Sequence, residues 1–237
     1  MIGSYKNKGF SLIEILLVLA ITAILLGISI SAINSTKNYQ YSKSVSDSIV
    51  SLLNSTENLA VNSVTENINS PITYGYLFSL NQQKNGYCIY KLIDANDGSP
   101  TSLNFSYSGN LQYVLDNTSG FTLDIPLLST CSGFIDKVNG VEYQLYSQGN
   151  FSRDTNLVIS WKELPIGGFS NNYYIAYENL TGTGFVFGST GVYIQPSHLG
   201  SLSLNVAYHG TGTSVTVASY SGGKYNSTPL YNPNLIQ

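Results

Sequence analysis

Between Phe10 and Ile33 the chain runs for 24 residues with a single charge, Glu14. An α-helix over this run is about 36 Å long, more than the roughly 30 Å of a bilayer's hydrocarbon core. A stretch this long and apolar reads as a membrane-spanning helix, and whatever follows has to be built on one side of it. Upstream stand Lys6 and Lys8 with no acid. The positive-inside bias therefore holds the N-terminus in the cytoplasm and sends the chain beyond Ile33 outward. A cleavable secretory signal is the competing reading, but its apolar region spans about 7 to 15 residues and ends at a small-residue site. Here the fitting small residue, Gly9, precedes the apolar run.

Beyond Ile33 the helical period persists. Val45, Ile49, Leu52, Leu53, Thr56, Leu59, Ala60, Val64 and Ile68 recur at three and four, with Lys43, Asp47, Glu57 and Glu66 between them. One helix from about Phe10 to about Ile68 is expected, its second half amphipathic, with Asn69-Ser70-Pro71 as the stop. No Pro interrupts the membrane half; Gly27, near Ser29 and Ser31, is its weakest helical point.

After Pro71 the period becomes two. Ile72, Tyr74, Tyr76 and Phe78 alternate, as do Phe121, Leu123 and Ile125, then Val141, Tyr143 and Leu145, then Leu157, Ile159 and Trp161. Further short strands are expected at 173–177, 185–187, 192–194, 202–208 and 215–217. Asn85-Gly86, Asn139-Gly140, Gly182-Thr183-Gly184 and Gly210-Thr211-Gly212 supply turns. The expected fold class is α+β: a long N-terminal helix packed on a C-terminal antiparallel β-rich head. The chain divides into 1–9 ahead of the helix, 10–33 in the membrane, 34–68 as its amphipathic continuation, and 69–237 as the head. The segment from Glu163 to Asn172 is a long loop or an internal boundary.

Composition fits an exported head. Only 10% of residues are charged, against about a quarter in typical domains, while 43% are apolar and 12% aromatic. That apolar content is enough to bury a core and argues against disorder. Cys88 and Cys131 both fall in the exported part. They read as one disulfide worth about 4 kcal/mol, against two buried thiols or a host that never oxidises them. His198 and His209 stand eleven apart with no acid between them, and no metal ligand set or cofactor motif emerges. Asp94-Ala95-Asn96-Asp97-Gly98 has its glycine one residue early for a calcium loop, and a tight turn explains it as well. No nucleophile elbow or P-loop occurs, and the glycines sit at turns, so no enzyme is expected.

Lys8, Gly9, Phe10, Ser11, Leu12, Ile13, Glu14 and the apolar run resemble the class III signal of bacterial type IV pilins and type II secretion pseudopilins. The resemblance covers the first seventh of the chain. It implies that a prepilin peptidase cuts between Gly9 and Phe10 and methylates the new amine of Phe10. It also implies that Glu14 faces the N-terminal ammonium of a neighbouring pilin or pseudopilin subunit during filament assembly. Such a pair sets register more than it adds stability. Snorkelling of Glu14 toward the headgroups is the alternative account of an acid that otherwise costs about 2.5 to 3.5 kcal/mol in the membrane.

The implied location is the bacterial inner membrane, a single pass with the head outside, and then a pilus or pseudopilus. The last 60 residues, with Phe185 to Gly191, Leu202 to Val206 and Ser214 to Val217, resemble the closing strands of minor pseudopilins of the H kind. A second implied role is a minor pilin whose head binds a surface, secreted cargo or DNA. Against DNA stands the charge: without Lys6 and Lys8, eight basic and thirteen acidic side chains leave −5, with Arg153 the single arginine.

Overall fold

The computed structural model describes residues 10–62, 73–81, 85–95, 123, 128, 130–136, 140–164, 169–170, 173–188, 190–191, 201–221, 224–226 and 230–232. Its first element is a single helix, α1 (Leu12–Val61). The N-terminal half of α1 stands clear of the rest of the chain, and the C-terminal half lies on it. The contact stripe is Val45, Ile49, Leu53, Thr56 and Ala60, all buried, with Leu52 and Leu59 packed at its margin. Small residues on this stripe bring the backbone close to the sheet. Ser42 and Ser46 are fully buried, and the Ser46 hydroxyl lies 2.6 Å from that of Thr213.

The described helix ends at Val61, and two sets of hydrogen bonds satisfy its last carbonyls. The backbone N–H and the side-chain amide of Asn62 both donate to the Asn58 carbonyl, at 2.9 and 2.8 Å. The N–H of Leu180, from a distant turn, donates to the Ala60 carbonyl at 2.9 Å. Orphan carbonyls of a helix end need such partners, and here one is supplied by tertiary structure. The expected continuation through Val64 and Ile68 and the stop at Pro71 lie outside the described residues.

Two antiparallel sheets follow. The first contains β1 (Thr73–Asn81), β2 (Gly86–Asp94), β3 (Phe134–Asp136), β4 (Val141–Asn150), β7 (Tyr174–Glu178) and β8 (Gly184–Phe187), in the order β3-β4-β2-β1-β7-β8. The second contains β5 (Leu157–Leu164), β6 (Phe169–Ser170), β9 (Ser201–Tyr208), β10 (Thr211–Ser221) and β11 (Lys224–Asn226), in the order β11-β10-β9-β5-β6, with β12 (Leu230–Asn232) also paired to β10. The expected boundary region from Glu163 to Asn172 carries β6, which pairs back onto β5, and the next strand, β7, belongs to the other sheet. The expected strands around Phe121 and Val192 lie outside the described residues.

The helix and both sheets share one core. Val45, Ile49 and Leu53 of α1 meet Trp161 of β5, Leu204 of β9, Val215 of β10 and, from the first sheet, Phe78, Ile175 and Tyr177. The opposite face of the first sheet is buried too. Leu77, Tyr90, Tyr143, Phe185 and Phe187 pack there with Leu123 and Leu128, from the segment between β2 and β3. A strand buried on both faces loses its alternation, which is why β2, with Cys88, Ile89 and Tyr90 all buried, has no period-two signature.

The expected alternation in β1 is also broken. Tyr76 and Phe78 face the helix side, whereas Tyr74 faces the other, because the β1–β2 register shifts between Thr73 and Gly75. Such a bulge re-aims side chains on one side of it.

Buried phenols make the head sensitive to alkali. Burial pushes Tyr90 and Tyr174 up to about 12 from an ordinary 10.0, and burial, aided by the charges of Glu57 and Asp94 respectively, raises Tyr177 and Tyr74 as well. The folded state therefore binds protons that the unfolded chain releases near pH 10. The stability from these groups is full below that pH and is lost as pH rises through about 12. Denaturant midpoints are expected to fall steeply over that window, with tyrosinate absorbance rising in step with unfolding. Titration of all tyrosines near pH 10 without unfolding would contradict the burial.

Candidate functional site: the exposed helix and its N-terminal cap

The exposed half of α1 starts from Ser11, whose hydroxyl accepts from the Glu14 N–H at 3.3 Å while the Ser11 N–H donates to Glu14 Oε2 at 2.8 Å. This reciprocal pair is a capping box, which satisfies two of the donors that a helix start leaves orphaned. Its effect is to fold the one carboxylate of the apolar run back onto the helix end. Phe10, immediately before, is 83% exposed. The expected cleavage site thus falls where the chain passes into the helix; Gly9 itself, with Lys6 and Lys8, lies outside the described residues.

From Leu12 to Ile33 the large apolar side chains, among them Leu16, Leu19, Ile24, Ile28 and Ile30, are exposed. By length and composition this helix can cross a membrane. Its hydroxyls suit that setting. Thr22 donates to the Val18 carbonyl at 2.9 Å and Ser29 to that of Leu25 at 2.8 Å, so neither requires water. The helix continues unbroken through Gly27.

Cys88 and Cys131 form a disulfide with Cα atoms 5.6 Å apart. Beside it the Tyr90 hydroxyl donates to the Leu128 carbonyl at 2.8 Å. Together they tie Leu128 and Cys131 to the outer face of the first sheet, far from Glu14 in the chain and structural in effect. Among the described residues no cluster of His, Cys, Asp or Glu could hold a metal ion.

One constellation had no sequence signal. Tyr41 of α1 packs on Tyr208 with ring centres 4.5 Å apart, and the Tyr208 hydroxyl donates to Asp154 Oδ2 at 2.7 Å. The Asn156 backbone N–H and then that bond hold Asp154 below the usual carboxylate range, and the bond to Asp154 in turn raises the Tyr208 phenol. These partners are separated by scores of residues, and only the fold brings them together.

A family model described as the prokaryotic N-terminal methylation motif matches residues 4–30. The chain therefore carries the type IV pilin and pseudopilin signal, and the matched residues take in Gly9, Phe10, Ser11 and Glu14 as well as most of the exposed helix. No curated protein and no solved structure matches the chain.

Proposed function

We propose that this chain is a structural subunit of a type IV pilus-like or type II secretion filament. Prepilin peptidase cuts after Gly9 and methylates Phe10. The segment from Phe10 to Ile33 then holds the subunit in the bacterial inner membrane, head outward, until assembly. The observation that carries this reading is one helix with two environments: α1 bears the methylation motif and an exposed apolar half at one end, and a half packed into a β head at the other. A helix apolar all round has to be covered, by lipid or by other helices. Assembly replaces the first with the second, and Glu14 exchanges its bond to Ser11 for the ammonium of a neighbour's Phe10.

Intact mass and N-terminal analysis of the native protein test the processing. The expected chain starts at Phe10 and carries one added methyl group; a chain starting at Met1 in a host with active prepilin peptidase overturns it. In the same host Glu14→Val is expected to leave membrane insertion intact and to abolish filaments. Normal filaments from that variant would remove the assembly role from Glu14.

A further inference from the structure

Three turns meet at the end of the head from which the apolar helix departs. Asn85, before β2, donates its side-chain amide to the carbonyls of Asp154 and Leu157 at 3.2 and 3.1 Å, and its own carbonyl accepts from the Phe151 N–H at 2.8 Å. The β9–β10 turn, His209-Gly210, joins them through the bond from Tyr208 to Asp154 and one from the His209 N–H to the Asn156 carbonyl at 3.4 Å. Contact between Tyr41 and Tyr208 fixes this platform to α1 at a known height. Tyr41 lies about 12 Å along the helix from Ile33, and Lys37 about 6 Å. A headgroup layer is roughly 5 to 8 Å deep on each side of the hydrocarbon core.

Basic and aromatic side chains gather at this end. Lys37, Arg153 and His209 are exposed on it, and Tyr41, Phe151 and Tyr208 are half-buried beside them. The acid among them, Asp154, is half-exposed and held by hydrogen bonds: Oδ1 accepts from the backbone and side-chain nitrogens of Asn156 at 2.9 and 2.8 Å, and Oδ2 from Tyr208. Next to the platform a cavity of about 820 Å³ runs along α1, bounded by Tyr41, Lys43, Asp47, Tyr87 and Phe151. Aromatic rings and long basic side chains at the mouth of a membrane helix are the groups that settle at the headgroup level.

We infer that, before assembly, this end of the head docks on the membrane surface, with Lys37 among anionic phospholipid headgroups and Arg153 reaching down to them from the Tyr41–Tyr208 platform. The inference rests on membrane insertion of Phe10 to Ile33. Charge complementarity and continuity with the spanning helix name the occupant. The head thereby becomes a reader of lipid charge, its tilt set by the leaflet it stands on.

The test uses the full chain in vesicles of phosphatidylcholine alone or mixed with phosphatidylglycerol. A fluorophore is placed on Thr155→Cys, in the exposed β4–β5 turn, or on Leu180→Cys, at the far end of the head, and a tracer lipid carries a nitroxide on its headgroup. Leu180 bonds Ala60, about 28 Å further along the helix than Tyr41. Stronger quenching at Thr155 than at Leu180 is expected, rising when phosphatidylglycerol is present and falling with salt. Lys37→Gln or Arg153→Gln should each weaken the docked state about fivefold. Quenching at Thr155 that is equal in neutral and anionic vesicles would reduce the effect to tethering and overturn the docking. Flotation separates the two readings: a chain that floats with vesicles without charge-dependent quenching defeats the docking alone, whereas a chain that does not float defeats membrane insertion and the docking with it.

Discussion

Replacing Gly75 with alanine is expected to prevent the head from folding, or to cost more than about 4 kcal/mol, in the range that only a few mechanisms reach. Gly75 lies in β1 at the register shift, with φ 154°, a conformation that side-chain-bearing residues rarely adopt. A Cβ built there would fall inside the contact distance of the Tyr177 carbonyl oxygen and close to the Glu178 Cα. Both obstacles are backbone of a paired strand, so no rotamer change relieves them. Moving them would part β1 from β7, on which Phe78, Ile175 and Tyr177 depend for their place in the core. Chemical denaturation and circular dichroism give the readout. Gly27→Ala is the matched control. A Cβ at Gly27 meets nothing within 4 Å, and a mid-helix Gly-to-Ala change favours the helix by roughly 0.5 to 1 kcal/mol. If Gly75→Ala folds with wild-type stability, the close approach of β1 and β7 is wrong.

Loss of the disulfide is expected to cost about 4 kcal/mol in the chain-entropy account, given the separation of 43 residues between Cys88 and Cys131. The effect should be spatially uneven. Cys88 is fully buried in the second cluster, beside the segment that Leu128 anchors. In the Cys88→Ala, Cys131→Ala variant, amide exchange should quicken from Leu128 to Asp136, while α1 and the second sheet keep their protection. A uniform rise in exchange across both sheets would mean that the bond holds the whole head and not one segment of it.

Legibility in the sequence followed the range of the interactions involved. The apolar run from Phe10 to Ile33 and the stripe from Val45 to Ala60 are patterns along one helix, and the sequence carries them directly. Exposed or half-exposed strands were legible too, such as β4 and β5, where burial alternates along the chain. Strand β2 was not, because both its faces are covered and nothing alternates. Tyr74 was assigned to the wrong face because a single glycine shifted the pairing. The bond from Leu180 to the Ala60 carbonyl and the platform made by Tyr41 meeting Tyr208 have no local signal. The methylation motif was legible for the same reason as the helix, being contiguous.

The continuity of α1 has a mechanical meaning. A helix unbroken from Leu12 to Val61 has no slack between its exposed apolar end and the seam at Ser42, Ser46 and Thr213. Pulling on Phe10 loads that seam directly, and turning the N-terminal half turns the head by the same angle. Inserting one residue between Ile33 and Tyr41 would rotate the head by about 100° about the helix axis and raise it by about 1.5 Å. The chain behaves as a shaft with its load keyed to it, so the rotation of the head about the helix axis is set by residues that never touch it.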